Sequence, residues 1–281
     1  MLNQLIKKPI LSCSIIFVIC SVARLIEYFY IRTDETFLSE NFLHKLFGIL
    51  LLWGILSICK LRWKDIGFSP DGIVSGIGKG LLFGLVCSVF AYAIESLTLV
   101  FLHGNVHLSF YASGFSLTND KVSQAGILLI LSSVLFNLIN VWMEEGVFRG
   151  LFTKILEGIS YRKSLFFIAF LFGIWHLVMP LRDYLQGESS LVNLIAMGIG
   201  YVILAGMMSI KWSLLYKMTG SLWFGLGDHF FNNLASNLVH VVSNSEADSL
   251  QIVRILLWQL LSFVIVLSIY TSKSKTLDNE L

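Results

Sequence analysis

The sequence predicts an all-α, polytopic membrane protein with about eight transmembrane helices. Composition, eight apolar stretches and an alternation of basic residues along the chain predict it. Hydrophobic residues make up 56% of the 281 positions and charged residues 14%, against roughly 45–50% and about 25% in soluble domains. That balance excludes a water-soluble globule, a disordered chain and a coiled coil. A net charge of +2 gives no purchase on a phosphate backbone, so no nucleic-acid partner is expected. The bilayer is the first partner.

The apolar stretches run Pro9–Tyr30, Leu43–Cys59, Gly80–Leu102, Ser123–Phe152, Ser164–Leu181, Leu191–Ile210, Leu222–Val241 and Ile252–Tyr270, each close to the ~20 residues that cross a bilayer. Lys7 and Lys8 precede the first stretch. It is too long for a signal-peptide core and lacks a small-x-small cleavage site, so it reads as a span. Basic residues gather in alternate connections: Lys7 and Lys8; Lys60, Arg62, Lys64 and Lys79; Lys154, Arg162 and Lys163; Lys211 and Lys217; Lys273 and Lys275. The positive-inside rule then puts both termini in the cytoplasm. The expected location is a cell membrane, in the first instance the bacterial plasma membrane.

No internal repeat or low-complexity block divides the chain. Residues 1–122 hold three spans, 123–241 a core and 242–281 the last span and tail, all one structural domain. Trp63–Lys79 reads as a cytoplasmic loop or short interfacial helix, and Thr271–Leu281 as a polar, frayed tail. Cys13, Cys20, Cys59 and Cys87 lie in or beside apolar runs without CxxC spacing; they read as packing residues rather than disulfides or zinc ligands.

Ionisable groups inside the spans each cost a few kcal/mol on insertion scales. Arg24 and Glu27, three apart, read as an intrahelical ion pair at the outer end of span one. Glu95 reads as an outer-leaflet surface residue. The run Glu144-Glu145-Gly146-Val147-Phe148-Arg149-Gly150 is harder to account for structurally. Glu145 and Arg149, four apart, share a helix face and can pair; Glu144 points about 100° away and needs another partner. Taking the basic clusters as the inner surface, Glu144 lies about 15 Å, His176 about 20 Å and His229 about 18 Å into the membrane. Three helices thus bring one acid and two imidazoles to similar depth. His229 and Asn233 share a face, as do Phe172 and His176. Asp228 faces elsewhere and reads as structural. Gly173, Gly225 and Gly227 permit close helix approach, and Pro180 a kink or an end to span five.

These residues carry a resemblance. EEGVFRG at 144–150 resembles the EExxxR signature of the CPBP family, the CAAX-protease and bacteriocin-processing membrane proteins also called the Abi family. Phe172-Gly173-Ile174-Trp175-His176 matches its FxxxH motif, and His229-Phe230-Phe231-Asn232-Asn233 its HxxxN motif. Order and spacing fit over about Ser123–Val241. The resemblance implies an α-helical intramembrane endopeptidase acting on a membrane-associated peptide or protein. In it, Glu144 and His176 hold the attacking water, and His229 and Asn233 stabilise the oxyanion. Some relatives are immunity or regulatory proteins, which is the alternative function. The family carries both glutamic-type and metallo-type labels.

The residues themselves suit a water mechanism, since no serine or cysteine nucleophile stands out. Glu144 in a low-dielectric cavity can act as base and then acid, with donors from His229 and Asn233 for the oxyanion. Glu145, Arg149 and Phe172 would support them. No cofactor is required; zinc on Glu144, His176 and His229 is the alternative, without an HExxH helix to support it. A transporter would call for inverted repeats and paired broken helices, and neither is found.

Overall fold

The computed structural model describes residues 2–36, 40–112, 126–244 and 246–279. Lys121 and the start of the fourth apolar stretch, 123–125, lie outside the described residues. All eight stretches fold as helices over most of their length. These are α1 (Pro9–Ile26), α2 (Leu43–Cys59), α3 (Ile73–His103), α4 (Ile127–Glu144), α5 (Tyr161–Trp175) with α6 (Val178–Leu185), α7 (Leu191–Thr219), α8 (Trp223–Leu238) and α9 (Gln251–Asn279). Six helical segments are long and apolar enough to cross a membrane: Pro9–Glu35, Ile73–Leu102, Ile127–Ile155, Tyr161–Leu185, Leu191–Thr219 and Gln251–Lys273. The protein is a multi-pass helical membrane protein.

The other two are short. α2 has 17 residues and α8 has 16, about 25 Å each at 1.5 Å per residue, against a hydrocarbon core of about 30 Å. α8 carries Asp228, His229, Asn232, Asn233, Ser236 and Asn237. It is packed among α3, α4 and α7, so its polar groups meet protein instead of lipid. Glycine makes the α3–α8 contact close. A Cβ at Gly80 would collide with the Phe224 carbonyl oxygen, and one at Gly227 would lie 2.5 Å from that of Ile77.

Several expectations are corrected. Val239–Ser243, the end of the seventh apolar stretch, is a strand (β2) paired antiparallel with β1 (Val106–Phe110) and β3 (Glu246–Ala247). Its β-branched valines favour extended backbone. α9 remains helical to Asn279 where a frayed tail was expected. Lys211 is not in a connection: α7 continues past its expected boundary at Ile210, to Thr219, and buries Lys211 within it. Glu95 is buried, paired with Arg254 at 2.6 Å. Arg24 and Glu27 do not pair with each other; each has partners from other elements, Trp175 beneath the Arg24 guanidinium and the start of α2 around Glu27.

Trp63–Ile66 forms a 3-10 turn, with Ile66 and Phe68 buried. The Gly67 carbonyl accepts from Leu222 N at 2.9 Å, and the Ser69 carbonyl accepts from Trp223 Nε1 at 2.6 Å. Phe68 stacks on Trp142 at 4.8 Å and meets Trp223 edge-on at 5.2 Å, with Trp63 against both Phe68 and Trp142. This aromatic group ties the chain after α2 to α4 and to the start of α8.

Candidate active site

α4 ends at Glu144, and residues Glu145–Leu151 form a π-helical turn, every one of them buried. A π turn widens the helix and recurs at functional sites. Here it changes the expected α-helical pairing. Arg149 stands 3.7 Å from Glu145, and its three guanidinium nitrogens have no hydrogen-bond partner. The guanidinium lies over the Phe172 ring at 3.9 Å and near Trp212 at 5.0 Å, a cation–π arrangement. The Glu145–Arg149 ion pair therefore exists but is loose, and Phe172 is the platform beneath it.

Glu145 is held elsewhere as well. Its Oε1 lies 2.9 Å from His229 Nδ1. The other ring nitrogen, Nε2, faces Glu144 Oε2 at 3.5 Å. Trp212 stacks on the imidazole at 3.8 Å. Glu144 Oε1 accepts from Trp175 Nε1 at 2.8 Å, whereas Oε2 has no hydrogen-bond partner. One oxygen is thus anchored and the other is available.

His176 sits where α5 breaks. Pro180, third residue of α6, has no N–H for the His176 carbonyl and would clash with it. The helix therefore stops at Trp175 and leaves His176 as its C-cap. His176 Nδ1 lies 2.8 Å from the Phe172 carbonyl oxygen. A carbonyl can only accept, so Nδ1 carries the hydrogen and the neutral ring presents a lone pair at Nε2.

Glu144, Phe172, His176, His229 and Asn233 all line one cavity of about 680 Å³. Glu145 and Arg149 lie behind its wall. Sequence reasoning thus gathers side chains that share a cavity but misses their holders. Trp175, next to His176 in the motif, anchors Glu144. Lys211 donates to Gln259 Oε1 at 3.1 Å and Ser262 Oγ at 3.0 Å, and pairs with Asp228 at 2.7 Å. Asp228 also accepts from Trp212 Nε1 at 2.8 Å, so it braces the ring that stacks on His229. Gln259 Nε2 donates to Asn232 Oδ1 at 2.5 Å, and Asn232 Nδ2 donates to Asn233 Oδ1 at 3.3 Å. Lysine has only donors, so it fixes the sense of this amide chain. Asn233 is left with its Nδ2 donors for the cavity.

Among the described residues, no three His, Cys, Asp or Glu side chains come together in a way that could hold a metal ion.

Fold and site together define a polytopic helical membrane protein with a carboxylate–imidazole centre buried at the end of a cavity. A family model described as Rce1-like, "Type II CAAX prenyl endopeptidase Rce1-like", matches residues 126–235. That segment runs from α4 through most of α8 and contains all three motifs, so residues 126–235 are similar to the family that the motifs resemble. No curated protein and no solved structure matches the chain.

Proposed function

We propose that the protein is an intramembrane endopeptidase that hydrolyses a peptide bond in a membrane-associated peptide or protein through a glutamate-activated water. The observation that carries this reading is the split environment of Glu144: Oε1 held by Trp175, Oε2 without a hydrogen bond in a buried cavity, with His229 Nε2 at 3.5 Å. A buried carboxylate oxygen without a donor is costly, and a water needs such an acceptor.

In the proposed reaction Glu144 Oε2 and the His176 Nε2 lone pair accept the two hydrogens of one water. Glu144 takes a proton as the water oxygen bonds to the carbonyl carbon, and the carbonyl electron pair moves onto oxygen. Asn233 Nδ2 donates to that oxyanion, a contribution of a few kcal/mol. His229 adds a second donor from Nε2 when both its nitrogens carry hydrogen. Glu145 on Nδ1 stabilises that imidazolium, as a buried acid does behind a catalytic histidine. The C–N bond then breaks, and Glu144 returns its proton to the leaving amine.

The test uses the purified full-length protein in liposomes, an internally quenched peptide library and water enriched in ¹⁸O. The expected result is cleavage that persists in a chelator, one ¹⁸O in each new carboxyl group and no acyl-enzyme adduct. A covalent intermediate, or cleavage lost to the chelator and restored by zinc, contradicts the mechanism. No cleavage by well-folded protein favours the immunity or regulatory alternative.

A further inference from the structure

We infer that the cavity is entered from the non-cytoplasmic face of the membrane, so that its substrate is an extended peptide segment presented outside the cytoplasm. The inference rests on the peptidase reading for its substrate, and on the shape of the cavity and the placement of basic residues for its direction.

The cavity is asymmetric along the bundle. Among the described residues its rim includes Arg32 after α1, Glu35, and Gln186 and Glu188 after α6. Within α4 its wall runs from Leu129 near the first turn to Glu144 at the end. Beyond Glu144 the π turn Glu145–Leu151 is wholly buried, and Trp63 and Phe68, which follow α2, and Trp223, which opens α8, pack with Trp142 of α4. None of these four aromatics lines the cavity.

Charge assigns the two ends to sides of the membrane. Lys60, Arg62 and Lys64 follow α2, Lys154 lies just past the π turn, Arg162 and Lys163 open α5, and Lys217 closes α7. All fall at the aromatic-sealed end of their helices. The described rim has fewer cations, Arg32, Lys45 and Arg182. Arg182 pairs with Asp34 at 2.7 Å and Glu35 at 3.0 Å, Lys45 with Glu40 at 2.5 Å, and Arg32 with Glu35. Burial removes Lys211 from the basic connections, and the asymmetry of the others remains. Short basic connections stay in the cytoplasm. The sealed end is therefore cytoplasmic and the rim faces outward.

The wall also indicates what enters. Ser133, Asn137, Asn140, Ser236 and Asn237 line it above the site, and the Nε and Nη1 of buried Arg24, also in the wall, lack hydrogen-bond partners. Amides, hydroxyls and a guanidinium suit the carbonyls and N–H groups of an extended backbone. From Leu129 to Glu144 the helix climbs about 22 Å. An extended chain covers ~3.3 Å per residue, so roughly seven unfolded residues must enter before a scissile bond reaches Glu144. A folded domain does not meet that requirement; a short peptide or a juxtamembrane tail outside the cytoplasm does.

The experiment compares right-side-out and everted membrane vesicles holding the full chain with its four native cysteines replaced. Single cysteines are placed in the wall (Asn137→Cys), on the rim (Gln186→Cys) and at the sealed end (Arg62→Cys). Each is challenged with a membrane-impermeant thiol reagent. Wall and rim cysteines should react in right-side-out vesicles and the Arg62 position in everted ones; the rim cysteine covers the case in which the wall variant fails to fold. The reverse pattern overturns the inference. The same vesicles then receive an impermeant quenched peptide of about a dozen residues, which should be cleaved only when right-side-out. Cleavage confined to everted vesicles overturns the substrate assignment. Absence of cleavage in both, with the labelling pattern as expected, overturns the peptidase reading and the substrate class while supporting the outward mouth.

Discussion

Glu27 and Glu144 are both buried carboxylates on apolar helices, and their surroundings are opposite. Both oxygens of Glu27 are occupied. Oε1 accepts from Phe42 N and Leu43 N at 2.8 and 2.9 Å and from the Thr33 hydroxyl, and Oε2 from His44 N at 2.6 Å and the His44 ring at 2.5 Å. It caps the start of α2, where unpaired N–H groups and the helix dipole favour a negative charge. Glu144 receives one hydrogen bond, and its other oxygen faces a cavity. A saturated carboxylate holds the fold together; a half-saturated one has room for a reactant.

The largest expected effect is on the open carboxylate. Glu144→Gln keeps shape but cannot take a proton from water, so turnover should fall by at least ~10²–10⁴, with detergent stability nearly unchanged. Glu27→Gln should do the converse. It weakens charge-assisted bonds to the start of α2, costing on the order of 1–3 kcal/mol of stability, while folded protein turns over at the wild-type rate. Thermal unfolding beside single-turnover rates for both variants would break the comparison if the two behaved alike.

Next comes the amide chain. Asn233→Ala should cost about 10²–10³ in turnover, as loss of one oxyanion donor does. Gln259→Glu still satisfies Lys211 but offers Asn232 only an acceptor. Asn232 and then Asn233 would turn over, presenting oxygen where the oxyanion forms. The expected loss approaches that of Asn233→Ala, with no further loss in the double variant; additive losses would show that Gln259 acts elsewhere.

A smaller effect concerns Glu145 and Arg149. Because Glu145 holds His229 and Arg149 lies on Phe172, exchanging the two places a cation against the imidazole. The exchange should be no better tolerated than either alanine variant, measured as activity per inserted molecule. Recovery in the exchanged protein would restore mutual pairing as their main role.

The smallest effect is at the outer sheet. Burial pushes the Asp248 carboxyl up, but the His240 hydrogen bond, the Arg254 charge and the Val241 N–H outweigh it and bring it below its ordinary 3.8. A depressed carboxyl stabilises the fold above its unfolded pKa, and that contribution is lost as pH falls through the folded value. Unfolding temperature should therefore drop below about pH 4, and Asp248→Asn should flatten that part of the profile.

The helices were legible because each is an apolar run of nearly membrane-spanning length. The gathering of Glu144, His176, His229 and Asn233 on one cavity was legible because three spaced motifs put them on separate helices at similar depth. The partners were not. Glu27 lies beside Arg24 in sequence, yet its donors are the backbone of 42–44 and the His44 and Thr33 side chains, positions that hydropathy does not mark. Lys211 reads as a basic flank because a charged residue ends an apolar window, and only its pairing with Asp228, Gln259 and Ser262 shows why it can be buried. The π turn leaves no periodic trace in seven residues, so the sequence offers Glu145 its same-helix partner Arg149 but not its nearer partner His229. The small sheet is a few valines beside an apolar helix, indistinguishable by hydropathy from its last turn.

The most direct test is a single-turnover cleavage assay on purified wild-type and Glu144→Gln proteins in liposomes, with Glu27→Gln as the matched buried-carboxylate control. The account predicts cleavage by wild type and Glu27→Gln at comparable rates per folded molecule, and a loss of at least ~10²-fold in Glu144→Gln. A Glu144→Gln protein within about tenfold of wild type would contradict general-base catalysis by this residue.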